Sequence, residues 1–241
     1  MNTDSILNPT VFIGSFEFRE PVTSLTDFMV GITCWIAVWY YHQNKNQGSD
    51  TWMYYRNYFL FFAIGMTSAA WLGHGFQAYI SPKWKMIGWL CSLSGQLFLA
   101  QGSLLEISAF ISESKSKIFR TLIYLQYAVF ISLILIPATS SFKIPQIGSA
   151  LALSGIVLPI QLFNFIKTRN KGSLLIVISI AYGLAPGYVY NNQISVNRWF
   201  NYHDISHVLV CVLMILMIFG TRKLALVNWK QSKRLLTIEN N

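Results

Sequence analysis

Seven long apolar runs, separated by short polar and basic stretches, set the pattern of this chain. They fall at about 25–42, 57–80, 84–111, 118–136, 146–166, 173–190 and 203–220. A hydrocarbon core is ~30 Å thick, and an α-helix crosses it with about 20 apolar residues. The pattern therefore predicts an all-α, polytopic membrane protein, a bundle of seven transmembrane helices. Aromatic residues gather near several run ends, as in Trp39-Tyr40-Tyr41, where an interfacial belt belongs. Pro137 stops the fourth run, and Pro159 predicts a kink within the fifth. Pro186-Gly187 breaks the last turn of the sixth, and Gly220 ends the seventh. Three regions follow: an outer N-terminal segment 1–24, a seven-helix domain 25–220 and a basic tail 221–241. No internal repeat or low-complexity linker interrupts them.

Composition agrees. Of 241 residues, 54% are hydrophobic and 11% charged, against about 25% charged in soluble domains. The net charge of +9 does not point to nucleic acid, because no polar segment interleaves basic and aromatic residues. It follows from topology instead. Five basic residues (Arg19, Lys83, Lys85, Lys143, Arg198) fall on the side of the N-terminus, and the other thirteen fall opposite. Basic loops stay cytoplasmic, so the N-terminus is expected outside and the C-terminus in the cytoplasm. That fits an integral protein of a bacterial inner membrane, or of an endomembrane in a eukaryote. Residues 1–20 carry Asp4, Glu17 and Glu20 and do not read as a signal peptide. The tail 221–238 alternates basic and apolar residues and reads as an interfacial helix on the anionic inner leaflet, or as a plain basic anchor. Cys34, Cys91 and Cys211 lie in apolar runs without a CxxC, which supports neither a zinc ribbon nor a disulfide framework.

Ionisable residues inside spans are costly and mark functional sites by default. With the orientation above, Asp27, His74, His203, Asp204 and His207 all fall near the outer end of their helices. Scattered in sequence, they share one depth. His203 and His207 stand four apart on one helical face, about 6 Å along the axis. That spacing lets two imidazoles reach one zinc ion, and His74 at the same depth completes a three-histidine set. A zinc-bound water would then attack a carbonyl group. The competing reading is three hydrogen-bonded polar residues packing two helices. Asp204 either orients a ligand histidine or caps the seventh helix. Asp27 acts as a general base, orients a ligand or caps the first helix, although Thr23 and Ser24 suit capping better. Asp27 and Asp204 are the candidate catalytic acids, and Ser68, Gln77 and Gln96 are candidate substrate contacts. Glu20-Pro21 is placed to fold over the outer mouth. Glu106 belongs to the inner half, where a pairing near the cytoplasmic interface is expected, and His42 is a solvated interfacial residue.

Seven spans, a histidine near the outer end of the second (His74) and HxxxH opening the seventh (His203, His207) resemble the CREST superfamily. These membrane hydrolases include alkaline ceramidases and adiponectin-type receptors. The resemblance implies zinc held by His74, His203 and His207, and a membrane lipid as substrate or ligand. The family serine four residues before its histidine is Ala70 here, with Thr67 and Ser68 nearby. The family aspartate on the third helix is absent, Gln96 being the nearest polar residue, so Asp27 or Asp204 would have to serve. The outward N-terminus is similar to the ceramidase branch. Glu20-Pro21 with Leu25-Thr26-Asp27 also resembles a set of bacterial seven-helix proteins.

Two functional readings follow. One is a zinc-dependent hydrolase of a lipid amide or ester bond. The other is a non-catalytic receptor or interaction subunit in which the polar cluster is structural or forms a ligand pocket. A transporter would need polar residues through the whole depth, and those above stop at the outer half. A retinal protein would need a lysine mid-way along the seventh helix. The sequence sets no oligomeric state.

Overall fold

The computed structural model describes residues 9–44 and 50–239, with side chains up to residue 226. The chain is an all-α bundle preceded by one β-hairpin. The hairpin pairs β1 (Thr10–Ile13) with β2 (Phe16–Arg19) in antiparallel register, Ile13 opposite Phe16 and Thr10 opposite Arg19. Gly14 opens its two-residue turn at φ 63, where a glycine avoids the steric cost of a side chain. The helices are α1 (Pro21–Gln43), α2 (Asp50–Ser68), α3 (Lys85–Glu106), α4 (Glu113–Leu135), α5 (Lys143–Thr168), α6 (Lys171–Asn191) and α7 (Tyr202–Glu239).

Among the described residues, five helical segments are long and apolar enough to cross a membrane: α1, α4, α5, α6 and the Tyr202–Leu226 part of α7. The other two helices, α2 and α3, are central to the packing. Helix α2 lies against α1 on one side and α3 on the other; α1 packs on α7, α7 on α6, and α6 on α5. Helix α5 in turn meets α3 and α4, which closes the arrangement. Aromatic side chains fill much of the core: Tyr41, Tyr55, Tyr58 and Phe59 are fully buried on α1 and α2.

Three departures from regular helix have local causes. Helix α2 continues directly into a π-helical segment, Ala69–Gly75, where the Phe76 amide reaches the Trp71 carbonyl. Helix α5 contains a second π segment, Leu151–Val157, just before Pro159. A proline lacks an N–H and crowds the preceding turn, and the wider turn takes up that conflict. Helix α6 breaks at Gly183, three residues before the Pro186 break expected from sequence.

Gly220 does not end α7. The helix runs on to Glu239, and Gly220 is a packing residue against α6. A Cβ on Gly172 would lie 2.7 Å from the Gly220 carbonyl oxygen. The spacing of side chains along the expected interfacial tail lies outside the described residues.

Candidate functional site

The hairpin sits on the turn after α2. Phe16 stacks on Tyr79, and Phe18 meets Trp71 and Phe76 edge-on. The Tyr79 hydroxyl accepts from the Glu17 amide at 2.6 Å. This packing carries the chain into α1 through Glu20, whose φ of 45 is left-handed, a conformation unfavourable for a glutamate. Pro21 then opens the helix, where its fixed φ fits and its missing N–H costs nothing. The strained turn brings Glu20 inward: the residue is 6% exposed and its carboxylate accepts from His74 Nδ1.

His74 arrives from the π segment of α2. The wider turn needs side-chain support, and Ser24 of α1 gives it by donating to the Ala70 carbonyl. Gln77, one turn on, donates to Glu20 Oε2 at 3.2 Å and to the Gly73 carbonyl. The other ring nitrogen of His74, Nε2, lies 3.4 Å from Asp27 Oδ2. Asp27 Oδ1 lies 3.2 Å from His207 Nε2 of α7. His207 Nδ1 contacts the Thr26 hydroxyl at 3.1 Å, and Thr26 donates to the Thr23 carbonyl. Glu20, His74, Asp27, His207 and Thr26 thus form one chain of contacts from the hairpin through α2 to α7.

Burial pushes the Glu20 carboxyl up. The hydrogen bond and charge of His74, with the charges of Lys85 and His203, outweigh burial and hold it below its ordinary value.

Asp204 resolves as a cap. Its Oδ2 accepts from the Asn201 amide at 2.7 Å, while Asn201 Oδ1 accepts from the His203 amide at 2.8 Å. This reciprocal pair closes the N-terminus of α7 in the manner of a capping box. The first helix, in contrast, has no side-chain cap. The expectation that Thr23 or Ser24 caps it fails because Pro21 starts the helix earlier.

The sequence expectation of a zinc site does not hold. The rings of His74, His203 and His207 do form a triangle, with centroids 6.2, 6.4 and 6.4 Å apart. Yet among the described residues no group of three or more His, Cys, Asp or Glu side chains is placed to hold a metal ion. The physical reason lies in where the rings face. His74 turns its nitrogens onto Glu20 and Asp27, and His207 turns its own onto Thr26 and Asp27. His203 packs its ring on Tyr190 and Tyr202. The zinc cofactor, the metal role of these histidines and the zinc-dependent lipid hydrolase built on them are therefore corrected: the cluster is a buried polar network.

Ser68 and Gln96 lie apart from it. Among the described residues no hydrogen bond ties either to the cluster, and Gln96 Oε1 is buried without a partner. Glu106 accepts from the Tyr55 hydroxyl at 3.2 Å, and His42 is exposed at the far end of α1.

Sequence reading missed a second set of buried polar residues towards that far end. Gln161 of α5 donates to Ser103 of α3 at 2.9 Å, Asn164 donates to Ser173 of α6 at 2.9 Å, and Tyr41 donates to Thr221 of α7 at 2.7 Å. Polar residues therefore do not stop at the half that carries the histidines. Uncharged Gln, Asn and Ser inside apolar runs gave no signal above ordinary helix packing.

No curated protein and no solved structure matches the chain. A family model does match residues 22–226, a stretch that contains every member of the polar network except Glu20. The chain accordingly belongs to DUF6962, a family of unknown function.

Proposed function

We propose that this protein is a non-catalytic seven-helix membrane receptor or interaction subunit, with its N-terminus outside and its C-terminus in the cytoplasm. The observation that carries this reading is the setting of Asp27. Its carboxylate stands between the Nε2 atoms of His74 and His207, while the opposite ring nitrogens are held by Glu20 and Thr26. Each imidazole is tied by its Nδ1 and turns its Nε2 toward Asp27, so the pair joins the N-terminal segment, α1, α2 and α7. A network whose members hold one another fastens helices; it does not present a free nucleophile. The asymmetry of basic residues supports the orientation, five on the N-terminal side against thirteen opposite. The hairpin then stands on the outer face, with Phe12 and Ile13 68% and 69% exposed.

Elemental analysis of the purified protein, wild type and His203→Ala, tests the reading. The expected result is sub-stoichiometric metal in both, with the variant still folded. One metal ion per chain in the wild type, lost on replacing His203, would overturn it.

A further inference from the structure

The hydrogen-bond inventory around Asp27 is short of donors. Thr26 gives its only hydroxyl proton to the Thr23 carbonyl. With that proton so placed, the donor in the contact between Thr26 and His207 is His207 Nδ1. A neutral His207 then has a bare Nε2, and that atom faces Asp27 Oδ1 at 3.2 Å. His74 repeats the arrangement. A carboxylate accepts but does not donate, so the contact with Glu20 requires the proton on His74 Nδ1. In a neutral His74 the bare Nε2 faces Asp27 Oδ2 at 3.4 Å. Two imidazole acceptors thus converge on the two oxygens of one carboxylate, four acceptor atoms in all. Among the described residues neither Asp27 oxygen has a hydrogen-bond partner, although the residue is only 1% exposed.

Charge selects what completes such a site. Glu20 and Asp204 lie close enough for their charges to act on Asp27, and they are opposed by Lys85 and, when it is protonated, by His74. With both imidazoles neutral, three carboxylates against one lysine repel an anion. A neutral hydroxyl brings one donor. A primary ammonium group brings three N–H donors and a positive charge, and charge-assisted hydrogen bonds are about twice as strong as neutral ones.

We propose that Asp27, with His74 and His207, forms a binding site for a protonated primary amine. The proposal rests on the metal-free reading of the cluster given above. The amine has two sources at a membrane surface: a small soluble molecule, or the headgroup of an aminophospholipid. Either presents the same three N–H donors to Asp27 and the two imidazoles.

The test uses the purified full-length protein. In detergent, thermal unfolding is followed with methylammonium chloride and, at equal ionic strength, with tetramethylammonium chloride, which has the charge but no N–H. A rise of roughly 3 °C is expected at ten times the Kd of methylammonium, and none with the quaternary ion. In a second arm, nanodiscs of phosphatidylethanolamine are compared with nanodiscs of phosphatidylcholine. Greater stability in ethanolamine discs supports the proposal with the lipid as source. Equal stability in the two discs, with a response to soluble methylammonium, supports it with a free amine as source. The methylammonium response should vanish in Asp27→Asn. Where that variant does not fold, the carboxylate infrared band of the wild type should shift on adding methylammonium. No response in either arm, or equal responses to the two ammonium ions, overturns the proposal. A metal-free protein without an amine response removes this site alone, whereas a stoichiometric metal removes the underlying reading as well.

Discussion

Glu20 and His74 are joined by a hydrogen bond across fifty-four positions of sequence. Glu20 precedes the first helix, and His74 lies in the π segment that ends the second. The contact requires a left-handed backbone at Glu20, so removing the side chain and relaxing the turn are separable. Glu20→Ala leaves His74 Nδ1 and Gln77 Nε2 without their acceptor. Stranding buried donors in this way costs about 2 kcal/mol. Glu20→Gly loses the same acceptor but relieves the left-handed turn, which returns about 1 kcal/mol. Thermal unfolding in detergent should therefore rank wild type above Glu20→Gly, and Glu20→Gly above Glu20→Ala. A glycine variant no better than alanine would show that the turn stores no strain.

The same carboxylate sets a pH dependence. The folded protein holds Glu20 below its ordinary value of 4.5. Between the two values the unfolded chain binds more protons than the folded one, so stability falls as pH falls. The contribution of Glu20 is complete above about pH 5 and disappears as pH drops through the folded value. Unfolding of wild type and Glu20→Gln, compared from pH 7 downward, should show a constant gap that closes below pH 4.5. A gap that widened on acidification would reverse the sign of this argument.

The three histidines should differ in what they support. His74 and His207 each bridge two partners, while the His203 ring makes aromatic contacts with Tyr190 and Tyr202. An aromatic contact of this kind contributes about 1 kcal/mol, whereas removing His74 strands the buried Glu20 carboxylate, at a cost of about 3 kcal/mol. His74→Ala should thus destabilise much more than His203→Ala. Equal losses at all three positions, abolished by a chelator, would indicate a shared ligand instead.

The helices were legible because apolar runs near twenty residues leave few alternatives in a membrane. Their ends were less so: α1 starts at Pro21 rather than near 25, and α2 at Asp50 rather than near 57. Thr23, Ser24 and Arg56 are polar enough to hide helical turns that packing stabilises. The convergence of Asp27, His74, His203 and His207 followed from depth alone. What the histidines face did not, because ring orientation depends on Glu20, and Glu20 reaches the site only through the hairpin. Its signal was present in the alternation Phe16-Glu17-Phe18-Arg19 after Gly14-Ser15, a strand pattern following a turn. A search for helices alone passes over it.

The junction of α6 and α7 offers a test of packing away from the polar cluster. Gly172 is buried, and a Cβ there would sit 2.7 Å from the Gly220 carbonyl oxygen and 2.8 Å from the Leu224 amide nitrogen. Both obstacles are backbone, so no side chain can swing aside. Gly172→Ala must push the helices apart, and such overpacking costs about 1–3 kcal/mol. Gly155 of α5 is the control, since among the described residues nothing lies within 4 Å of a Cβ there. Gly155→Ala should be neutral or stabilising by up to about 1 kcal/mol, from the better helix propensity of alanine. Thermal unfolding of the two variants should differ in sign or nearly so. If Gly172→Ala unfolds at the wild-type temperature, the close approach of α6 to α7 is wrong. The register that places His207 beside Asp27 and His203 beside His74 would then need redrawing, because α7 is the helix that carries both.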